Sequence, residues 1–391
     1  MTKRQVAVLT TSRADYGILY WLLRSIDADE ELELLLYVSG SHFVPELGMT
    51  ANEIDADGFD ICRKLEIFSD VDTPTAATTA MSIALTGIGE ALEADKPNVL
   101  VLLGDRFEIV PAALAAVVHG VPVAHIHGGE TSEGAIDEYF RHAITKLSTY
   151  HFAATDQYRR RIIQMGEYPP NVFNFGAPAL DHLPKTNLLS KSQLEEALNL
   201  SIAPPTALVT YHPVTATPGR YESQIENMME AILATEDLQC IITSANADVE
   251  GQQINQILRS YCDKHSDRMQ LFDSLGYLRY LSCLRTVDLM IGNSSSGLIE
   301  APSFRRPVVN IGDRQRGRVS AKNVIHTDNS TNSIRKSIDQ ALSNNFVQSL
   351  ESMTNPYDTK EDGEISVRIK EKLKELINTA PPAGKTFHDL N

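Results

Sequence analysis

Short apolar runs rich in valine, isoleucine and leucine recur along the chain, and segments with helical periodicity separate most of them. Six runs fall in the first half, at residues 6–9, 32–38, 99–103, 122–126, 151–154 and 172–175. Five more fall in the second half, at residues 207–211, 239–243, 269–272, 287–291 and 308–311. Strands buried on both faces of a parallel sheet read as continuous apolar runs, so the pattern predicts an α/β fold built from two similar halves.

The chain length favours two domains, because 391 residues exceed one ordinary core at roughly 100–200 residues per domain. A polar, proline-containing stretch over residues 183–205 separates the halves, and we place the first domain at 1–183 and the second at 184–358. Apolar residues then repeat every four positions, which predicts one amphipathic helix within 359–378. A Pro-Pro pair follows it, so the tail 379–391 is expected to be mobile.

The composition argues against several classes of protein. A net charge of −16 disfavours nucleic acid as a partner, since that binding depends on clustered lysine and arginine. No apolar run approaches the roughly 18 residues of a membrane span, and the first run is too short for a signal peptide. We therefore expect a cytoplasmic protein with no membrane partner. The four cysteines show no C-x-x-C spacing, which disfavours a disulfide framework and structural zinc.

Polar side chains cluster where the predicted strands end. In an open parallel sheet, ligands bind beyond the carboxyl ends of the strands, where loops meet helix N-termini. These ends carry Arg13, His42, Asp105, Arg106, His127 and Glu130 in the first half, and His212, Asn246, Ser294 and Arg314 in the second. The pattern predicts a ligand cleft between two domains. Because a guanidinium fork matches phosphate oxygens, Arg13, Arg106 and Arg314 are the predicted clamp for a diphosphate.

Residues 289–300 combine an apolar strand with a turn of three serines and two glycines that opens a predicted helix. The first N–H groups of a helix lack intrahelical partners, and the helix dipole adds partial positive charge there. Ser294, Ser295 and Gly297 therefore suit a phosphate group. Glu300, about one turn later, is placed to contact a ribose diol. The alternative is a serine that merely caps an ordinary helix.

Signals for a metal or an organic cofactor are weak. His125 and His127 are two residues apart on a predicted strand and so point to opposite faces, which is poor geometry for one ion. No P-loop lysine motif occurs, and Gly17 is a single glycine where a dinucleotide fingerprint needs three. We therefore expect no metal and no cofactor.

Seven motifs occur in the order typical of one known family. They are Arg13-Ala14-Asp15-Tyr16-Gly17, Gly104-Asp105-Arg106, His125-Ile126-His127-Gly128-Gly129-Glu130, Arg141-His142-Ala143-Ile144-Thr145-Lys146, His212-Pro213, Gly292-Asn293-Ser294-Ser295-Ser296-Gly297 and Gly312-Asp313-Arg314-Gln315. With Asn355-Pro356-Tyr357, the match runs from about residue 4 to residue 370. The chain thus resembles the hydrolysing UDP-N-acetylglucosamine 2-epimerases, and in particular their bacterial sialic and legionaminic acid branch.

The resemblance implies a glycosyltransferase-B-like fold, in which two Rossmann-like domains face a central cleft and the last helix packs back on the first domain. It places the sugar and the catalytic acids on the first domain and UDP on the second, and it implies a homodimer or homotetramer. The implied reaction converts UDP-N-acetylglucosamine and water to UDP and N-acetylmannosamine, for sialic acid biosynthesis. The alternative substrate is UDP-N,N'-diacetylbacillosamine, for legionaminic acid biosynthesis.

The family chemistry is elimination of UDP to a 2-acetamidoglucal, followed by hydration of that alkene. By position in the motifs, the resemblance gives general acid–base work to Asp105 and Asp137. It gives His212 a contact to the diphosphate or assistance to the leaving group. The other contacts to UDP and sugar that it implies are Arg13, Ala14, His42, Arg106, Arg141, Asn246, Ser294, Ser295, Gly297, Glu300 and Arg314.

The chain departs from the wider family at two positions. Leu103 stands where that group usually has histidine, and His127 stands where it has glutamate. The role of the missing glutamate then falls to His127 or Glu130. Two other classes stay open, namely a glycosyltransferase of the same fold, which passes the sugar to an acceptor, and a sensor that binds the UDP-sugar and releases nothing.

Overall fold

The chain divides into two units, each built around its own parallel sheet. The computed structural model describes residues 3–44, 49–67, 73–133, 136–214, 219–245, 250–358, 360–379 and 384–390. Unit 1 consists of Met1–Glu130, Asp137–His182 and Tyr357–Asn391, and unit 2 consists of Thr131–Ile136 and Leu183–Pro356. Each unit is therefore assembled from segments that are distant in sequence.

Unit 1 is a parallel sheet covered by helices. Its described strands are β1 (Arg4–Thr10), β2 (Leu32–Ser39), β3 (Ile61–Leu65), β4 (Val99–Leu103), β5 (Val123–Ile126), β6 (Tyr150–Ala153) and β7 (Val172–Asn174), paired in the order β3-β2-β1-β4-β5-β6-β7. Its described helices up to residue 164 are α1 (Arg13–Asp27), α2 (Ala51–Ala56), α3 (Pro74–Asp95), α4 (Ile109–Val118), α5 (Asp137–Leu147) and α6 (Asp156–Gln164). Buried Leu9 and Leu100 pack against Ile88 and Ile109, so that α3 and α4 cover one face.

Unit 2 repeats this plan. The chain enters it in α7 (His182–Lys185). Its described strands are β8 (Thr206–Thr210), β9 (Gln239–Thr243), β10 (Met269–Phe272), β11 (Leu289–Gly292), β12 (Val308–Ile311) and β13 (Val324–Thr327), all parallel in the order β10-β9-β8-β11-β12-β13. Its helices are α8 (Lys191–Leu198), α9 (Tyr221–Leu233), α10 (Gly251–Lys264), α11 (Gly276–Thr286), α12 (Ser296–Ile299), α13 (Thr331–Leu342) and α14 (Asn344–Ser349). Buried Ile225, Ile254 and Ile334 join one core, whereas Leu194 and Leu284 join another, so helices lie on both faces of the sheet.

The predicted α/β class and the two Rossmann-like halves are confirmed, since each of the predicted apolar runs overlaps a strand of a parallel sheet. Two strands, β3 and β13, were not predicted. Both lie at the edge of their sheet, and most of their residues are partly or fully exposed. An edge strand buries less surface than a central one, so its sequence carries a weaker apolar signal.

The C-terminal helix, α15 (Ile365–Asn378), belongs to unit 1. Its predicted apolar stripe is buried, with Ile365, Ile369 and Leu373 at most 1% exposed. The Asp181 carboxylate accepts from the N–H groups of Ile365 and Ser366, at 2.8 and 2.6 Å, and so satisfies two donors at the start of the helix. Neither α15 nor any other described helix is long and apolar enough to cross a membrane.

The tail after α15 contacts unit 1 in the part that the structure describes, residues 384–390. Lys385 Nζ lies 2.7 Å from a carboxylate oxygen of Glu167 and donates to the carbonyl oxygen of Ser148 at 2.5 Å. The N–H of His388 donates to the carbonyl oxygen of Gly166 at 2.9 Å. Lys385 and main-chain groups thus make the contacts of the described tail, and the mobility expected for residues 379–391 stays a prediction.

Candidate active site

The predicted site residues flank one point in each sheet. In unit 1 the chain runs outward from β1 through β3 and then resumes at β4, beside β1; in unit 2, β8 and β11 are related in the same way. In sheets of this kind a ligand binds at the crevice outside the carboxyl ends of those two strands. Arg13 follows β1 and Asp105 follows β4, whereas His212 follows β8 and Ser294 follows β11. Each unit thus carries its predicted residues at its own switch point.

Asp105 and Arg141 form an ion pair in unit 1. The Arg141 side chain is 2% exposed and that of Asp105 is 20% exposed, so most of the pair is shielded from water. Gly104 precedes Asp105 with φ +73°, and its carbonyl oxygen accepts a 2.8 Å hydrogen bond from Nε2 of His125. Burial lowers the pKa of His125 to about 3, so a neutral imidazole fixes the loop that carries Asp105.

The two predicted clamp arginines of unit 1 are each held by a carboxylate. Nε of Arg13, the first residue of α1, lies 3.3 Å from an oxygen of Glu53, and the two side chains are 39% and 47% exposed. Nη2 of Arg106 donates to Glu108 at 3.1 Å, and the Glu108 side chain is buried. Ala14, also predicted to contact the ligand, is exposed in the first turn of α1.

His42 is fully buried next to the end of β1. Its Nε2 lies 2.9 Å from the hydroxyl of Thr10 and its Nδ1 lies 2.7 Å from the hydroxyl of Thr50. Burial, reinforced by the charge of Arg106, lowers the pKa of His42 to about 4, so the ring is neutral near pH 7. Both ring nitrogens are bonded to threonine hydroxyls, which favours a role in positioning the β1 end over direct contact with a ligand.

His127 and Glu130 lie together at the end of β5. Nδ1 of His127 is 2.5 Å from a carboxylate oxygen of Glu130, and both side chains are buried. His127 has φ +65°, an uncommon conformation for a residue with a side chain. Asp137, the other predicted acid, is the first residue of α5 and is partly exposed.

Asn293 organises the switch point of unit 2. Its side-chain oxygen accepts from the N–H of His212 at 2.7 Å, and its side-chain NH2 donates to the carbonyl oxygen of His212 at 2.8 Å. Burial, aided by the charge of Arg314, lowers the pKa of His212 to about 3. Near neutral pH the His212 ring is therefore an uncharged hydrogen-bonding group.

The serine turn after β11 differs from the expectation in one respect, because the helix it opens is short. Helix α12 contains only Ser296–Ile299 and gives way to a 3-10 turn at Ala301–Phe304. Pro302 has no N–H to continue the α-helical ladder, which explains the early end. A single turn carries a small dipole, so the predicted anion site depends on Ser294, Ser295 and nearby charge more than on a macrodipole.

The two glycines of this turn are needed for close packing. A Cβ on Gly292, which has φ +136°, would lie 1.9 Å from the carbonyl oxygen of Thr210 on β8. A Cβ on Gly297 would lie 2.8 Å from Cγ1 of Val308 on β12. Gly297 was predicted to contact the ligand, and the structure gives it a packing role.

Arg314 lies beside the same turn. Its Nη1 donates to the carbonyl oxygen of Asn293 at 3.2 Å, and Nε2 of Gln315 donates to that oxygen at 2.8 Å. The guanidinium is thus held next to His212 and the serines. Asn246, predicted to lie nearby, is outside the described residues. Within the described part of the chain, no group of three or more His, Cys, Asp or Glu side chains is arranged to hold a metal ion.

Three residues of these switch points were not singled out from the sequence. Asn293 and Gln315 support the His212 and Arg314 region through hydrogen bonds. Tyr280 from α11 is partly buried, with its hydroxyl shielded from solvent beside Ser296 and Glu300. The shielding of the hydroxyl together with the charge of Glu300 raises the pKa of the phenol. Asn293 and Gln315 lie inside motifs quoted above, whereas Tyr280 has no sequence signal, because only the packing of α11 brings it to the turn.

Comparison with known proteins shows which family the chain belongs to. A family profile described as UDP-N-acetylglucosamine 2-epimerase matches residues 24–374. The GDP/UDP-N,N'-diacetylbacillosamine 2-epimerase (hydrolyzing) of Campylobacter jejuni is 37% identical over 89% of this chain and 90% of its own length. The UDP-N,N'-diacetylbacillosamine 2-epimerase (hydrolyzing) of Legionella pneumophila is 36% identical over 99% of both chains. The UDP-N-acetylglucosamine 2-epimerase of Neisseria meningitidis is 30% identical over 99% of this chain and 100% of its own.

Solved structures share the fold. The crystal structure of UDP-GlcNAc 2-epimerase from Neisseria meningitidis bound to UDP-GlcNAc has a TM-score of 0.81 at 19% identity, covering 95% of this chain and all of that one. The UDP co-structure of MnaA from Staphylococcus aureus has a TM-score of 0.79 at 18% identity, covering 99% of this chain and all of that one. The glycosyltransferase-B-like fold is thereby confirmed. The protein belongs to the hydrolysing UDP-N-acetylglucosamine 2-epimerase family.

Proposed function

We propose that this protein is a hydrolysing 2-epimerase that acts on UDP-N,N'-diacetylbacillosamine. It would release UDP and a 2,4-diacetamido-trideoxy-mannose for legionaminic acid biosynthesis. The observation that carries this choice of sugar is sequence identity. The two relatives named for diacetylbacillosamine are 37% and 36% identical to the chain, whereas the Neisseria relative named for UDP-N-acetylglucosamine is 30% identical. The choice reverses the order of the two substrates expected from the sequence alone.

The first half-reaction is elimination of UDP across C1 and C2. The C2 hydrogen is weakly acidic, so cleavage of the C1–O bond must be well advanced, with negative charge growing on the departing diphosphate. Preorganised donors aimed at developing charge are usually the largest catalytic contribution. We assign this work to Arg13 and Arg106 of unit 1 and to Arg314 of unit 2, with Ser294 and Ser295.

The second half-reaction is addition of water to the resulting glycal. One group must deliver a proton to C2 on the face opposite to its removal, and another must take a proton from the attacking water. We assign these two steps to Asp105 and Asp137, because carboxyl groups in partly buried sites serve as general acids and bases. Arg141 orients Asp105 through their ion pair. His212, as a neutral ring, contributes a hydrogen bond to the diphosphate, and Glu300 contacts the ribose.

UDP-N-acetylglucosamine is the second candidate substrate. The Neisseria relative named for it matches 99% of this chain, and the family profile carries the same name. With this sugar the product would be N-acetylmannosamine, the precursor of sialic acid. The two substrates differ at C4 and C6 of the sugar, far from the atoms that react.

Separate assays with each UDP-sugar test the proposal. We expect kcat/KM for UDP-N,N'-diacetylbacillosamine to exceed that for UDP-N-acetylglucosamine by at least about tenfold, the order of discrimination that a few substituent contacts supply. In D2O the released sugar should carry deuterium at C2, as elimination requires. Preference for UDP-N-acetylglucosamine would select the second candidate.

Two further results would contradict an epimerase altogether. A transferase would release a sugar with unchanged configuration at C2 and would need an acceptor other than water. A sensor would bind both UDP-sugars and release nothing.

A further inference from the structure

His127 is held in a strained and closely packed turn. Its φ of +65° lies in the left-handed region, which costs free energy for a residue with a side chain and persists where the surroundings enforce it. The two residues that follow leave no space to relax. A Cβ on Gly128 would lie 2.8 Å from Nδ1 of His125, and one on Gly129 would lie 2.5 Å from the carbonyl oxygen of Tyr158.

The hydrogen bond to Glu130 determines which nitrogen of the His127 ring acts as the donor. A carboxylate only accepts hydrogen bonds, so Nδ1 of His127 is the donor to the Glu130 oxygen 2.5 Å away, and Nε2 is the nitrogen that can take up or release a proton. In the tautomer with the proton on Nδ1, Nε2 carries a lone pair. This atom is buried and has no hydrogen-bond partner among the residues that the structure describes. An oriented basic nitrogen is therefore left for something that is not part of the protein.

Other buried histidines of unit 1 behave differently. His42 and His125 each place both ring nitrogens near hydrogen-bonding groups of the protein. His151 leaves Nδ1 without a partner in the described structure, but it lies within β6 and not beyond the strand end. Among these rings, His127 alone joins an unpartnered nitrogen to a position at the carboxyl end of the sheet, where ligands of such folds bind.

From these observations we infer that His127 is the base of the elimination step and that Glu130 is its positioning residue. The inference rests on the proposed function. The Nε2 lone pair takes the proton from C2 of the sugar, and the C2–H electron pair becomes the second C1–C2 bond. The C1–O electron pair leaves on the β-phosphate oxygen of UDP, and the imidazolium afterwards passes its proton to water.

Chemistry favours the imidazole over Glu130 itself. An imidazole accepts a proton more readily than a carboxylate does, and the C2 hydrogen is weakly acidic. A carboxylate bonded to the far nitrogen orients the ring and stabilises the imidazolium that forms, as in other pairs of this type. Glu130, which is 2% exposed and directed at Nδ1, is placed for this role.

The test compares UDP release by wild type with that by His127→Asn, using whichever UDP-sugar the wild type consumes. Asparagine tolerates positive φ better than other residues with side chains, so the turn is preserved while the base is lost. We expect kcat for UDP release to fall by about 100-fold or more, with KM changed only a few-fold. Added imidazole should restore part of the activity of His127→Gly.

Two more variants separate catalysis from folding. Glu130→Gln keeps an acceptor for Nδ1 and removes the charge, so kcat should fall while KM stays, and imidazole should not rescue it. His119→Asn is the matched control, because His119 also pairs with a glutamate, Glu93, at 3.2 Å but lies at the far end of α4. It should retain wild-type kcat.

Two outcomes would overturn the inference. The first is UDP release by His127→Asn within a few-fold of wild type, including the case in which the glycal then accumulates. The second is a His127→Gly variant that binds UDP yet gains nothing from imidazole. A wrong choice of sugar would show instead in the wild type, which would consume only UDP-N-acetylglucosamine or neither UDP-sugar.

Discussion

The side-chain amide of Asn293 forms two hydrogen bonds with the main chain of His212, at 2.7 and 2.8 Å. The two residues follow neighbouring parallel strands, β11 and β8. The contact fixes the separation of the loops at the switch point of unit 2, where the serine turn begins. Since Asn293 is fully buried, water cannot replace these two hydrogen bonds if they are lost.

We predict that Asn293→Ala weakens UDP binding as well as folding. Two main-chain groups of His212 would lose their partner, which costs about 1–3 kcal/mol of stability. The loosened loop should raise the Kd for UDP by about tenfold, or about 1.4 kcal/mol. Calorimetric titration with UDP and urea unfolding measure the two effects.

Asn323→Ala is the matched control for that variant. Asn323 is also fully buried in unit 2 and donates to the carbonyl oxygen of Arg306 at 2.8 Å, but it precedes β13 at the opposite end of the strands. It should lower stability by a similar amount and leave the Kd for UDP unchanged. Equal losses of UDP affinity in both variants would mean that Asn293 acts through general stability alone.

The central strands could be predicted from the sequence because they are buried on both faces. The sequences of β1, β4, β8 and β11 are continuous apolar runs. The polar residues that follow the carboxyl ends of these runs are the ones that lie at the switch points. The edge strand β3, with the sequence Ile-Cys-Arg-Lys-Leu, has no such run.

Side-chain pairings could not be predicted in the same way. Asp105 and Arg141 are 36 residues apart, and their ion pair depends on how α5 packs on the sheet. The contact of His127 with Glu130 joins residues three apart, yet it occurs in a turn where His127 has a positive φ, and the sequence does not show where the chain adopts that conformation. The sequence therefore predicted where the polar residues gather but not which of them pair.

Asp105→Asn should abolish release of the free sugar while UDP binding persists. The amide cannot exchange a proton in the hydration step, so we expect the rate of sugar release to fall by about 100-fold or more. UDP should still bind with wild-type affinity, because its predicted contacts from unit 2 are untouched. Chromatography of the products tests a further expectation, namely that the glycal accumulates.

Asp95→Asn provides the control for losing an Arg–Asp ion pair. Asp95 pairs with Arg63, also in unit 1, but it is the last residue of α3 and lies before β4 instead of after it. This variant should lose stability without losing sugar release. Wild-type turnover by Asp105→Asn would remove Asp105 from the mechanism.

Turnover should survive a chelator. In the proposed mechanism the charge that grows on the diphosphate is stabilised by arginines, whose guanidinium groups match phosphate oxygens and stay protonated; those assigned are Arg13, Arg106 and Arg314. We therefore expect the initial rate after incubation with EDTA and removal of the complexed metal to stay within about twofold of the untreated rate. Complete loss of activity that returns with added Mg2+ would contradict the arginine clamp as the main source of charge stabilisation.

Acid should weaken the region where the tail contacts unit 1. Burial alone would raise the pKa of Glu167, but hydrogen bonds from His151, Lys146 and Lys385 outweigh it and lower the pKa from 4.5 to about 2. A lowered folded-state pKa stabilises the protein above the unfolded value, and this contribution is lost as the pH falls from about 4.5 towards 2. Its upper limit is about 3 kcal/mol.

Urea unfolding of wild type and Glu167→Gln at several pH values measures how the contribution of Glu167 to stability depends on pH. The stability difference between them should be largest above about pH 5 and shrink as the solution is acidified. Glu222→Gln, at an exposed position of α9, should show no such difference. A difference between wild type and Glu167→Gln that stays constant down to pH 3 would mean that Glu167 acts through packing and not through its charge.

The proposed contact between Glu300 and the ribose can be tested by changing both partners. Glu300 lies one turn beyond the serines, and its charge acts on the phenol of Tyr280, so the two side chains are close together. If it accepts hydrogen bonds from the ribose diol, wild type should bind UDP about tenfold more tightly than 2′-deoxy-UDP, since a site built for a hydroxyl rejects a ligand without one. Glu300→Ala should bind the two nucleotides with nearly equal affinity.

The coupling energy from these four Kd values isolates the contact from any general effect of the substitution. Equal discrimination by both proteins would place Glu300 away from the ribose, and Tyr280→Phe, which keeps the packing and removes the hydroxyl, would then be the next variant to measure.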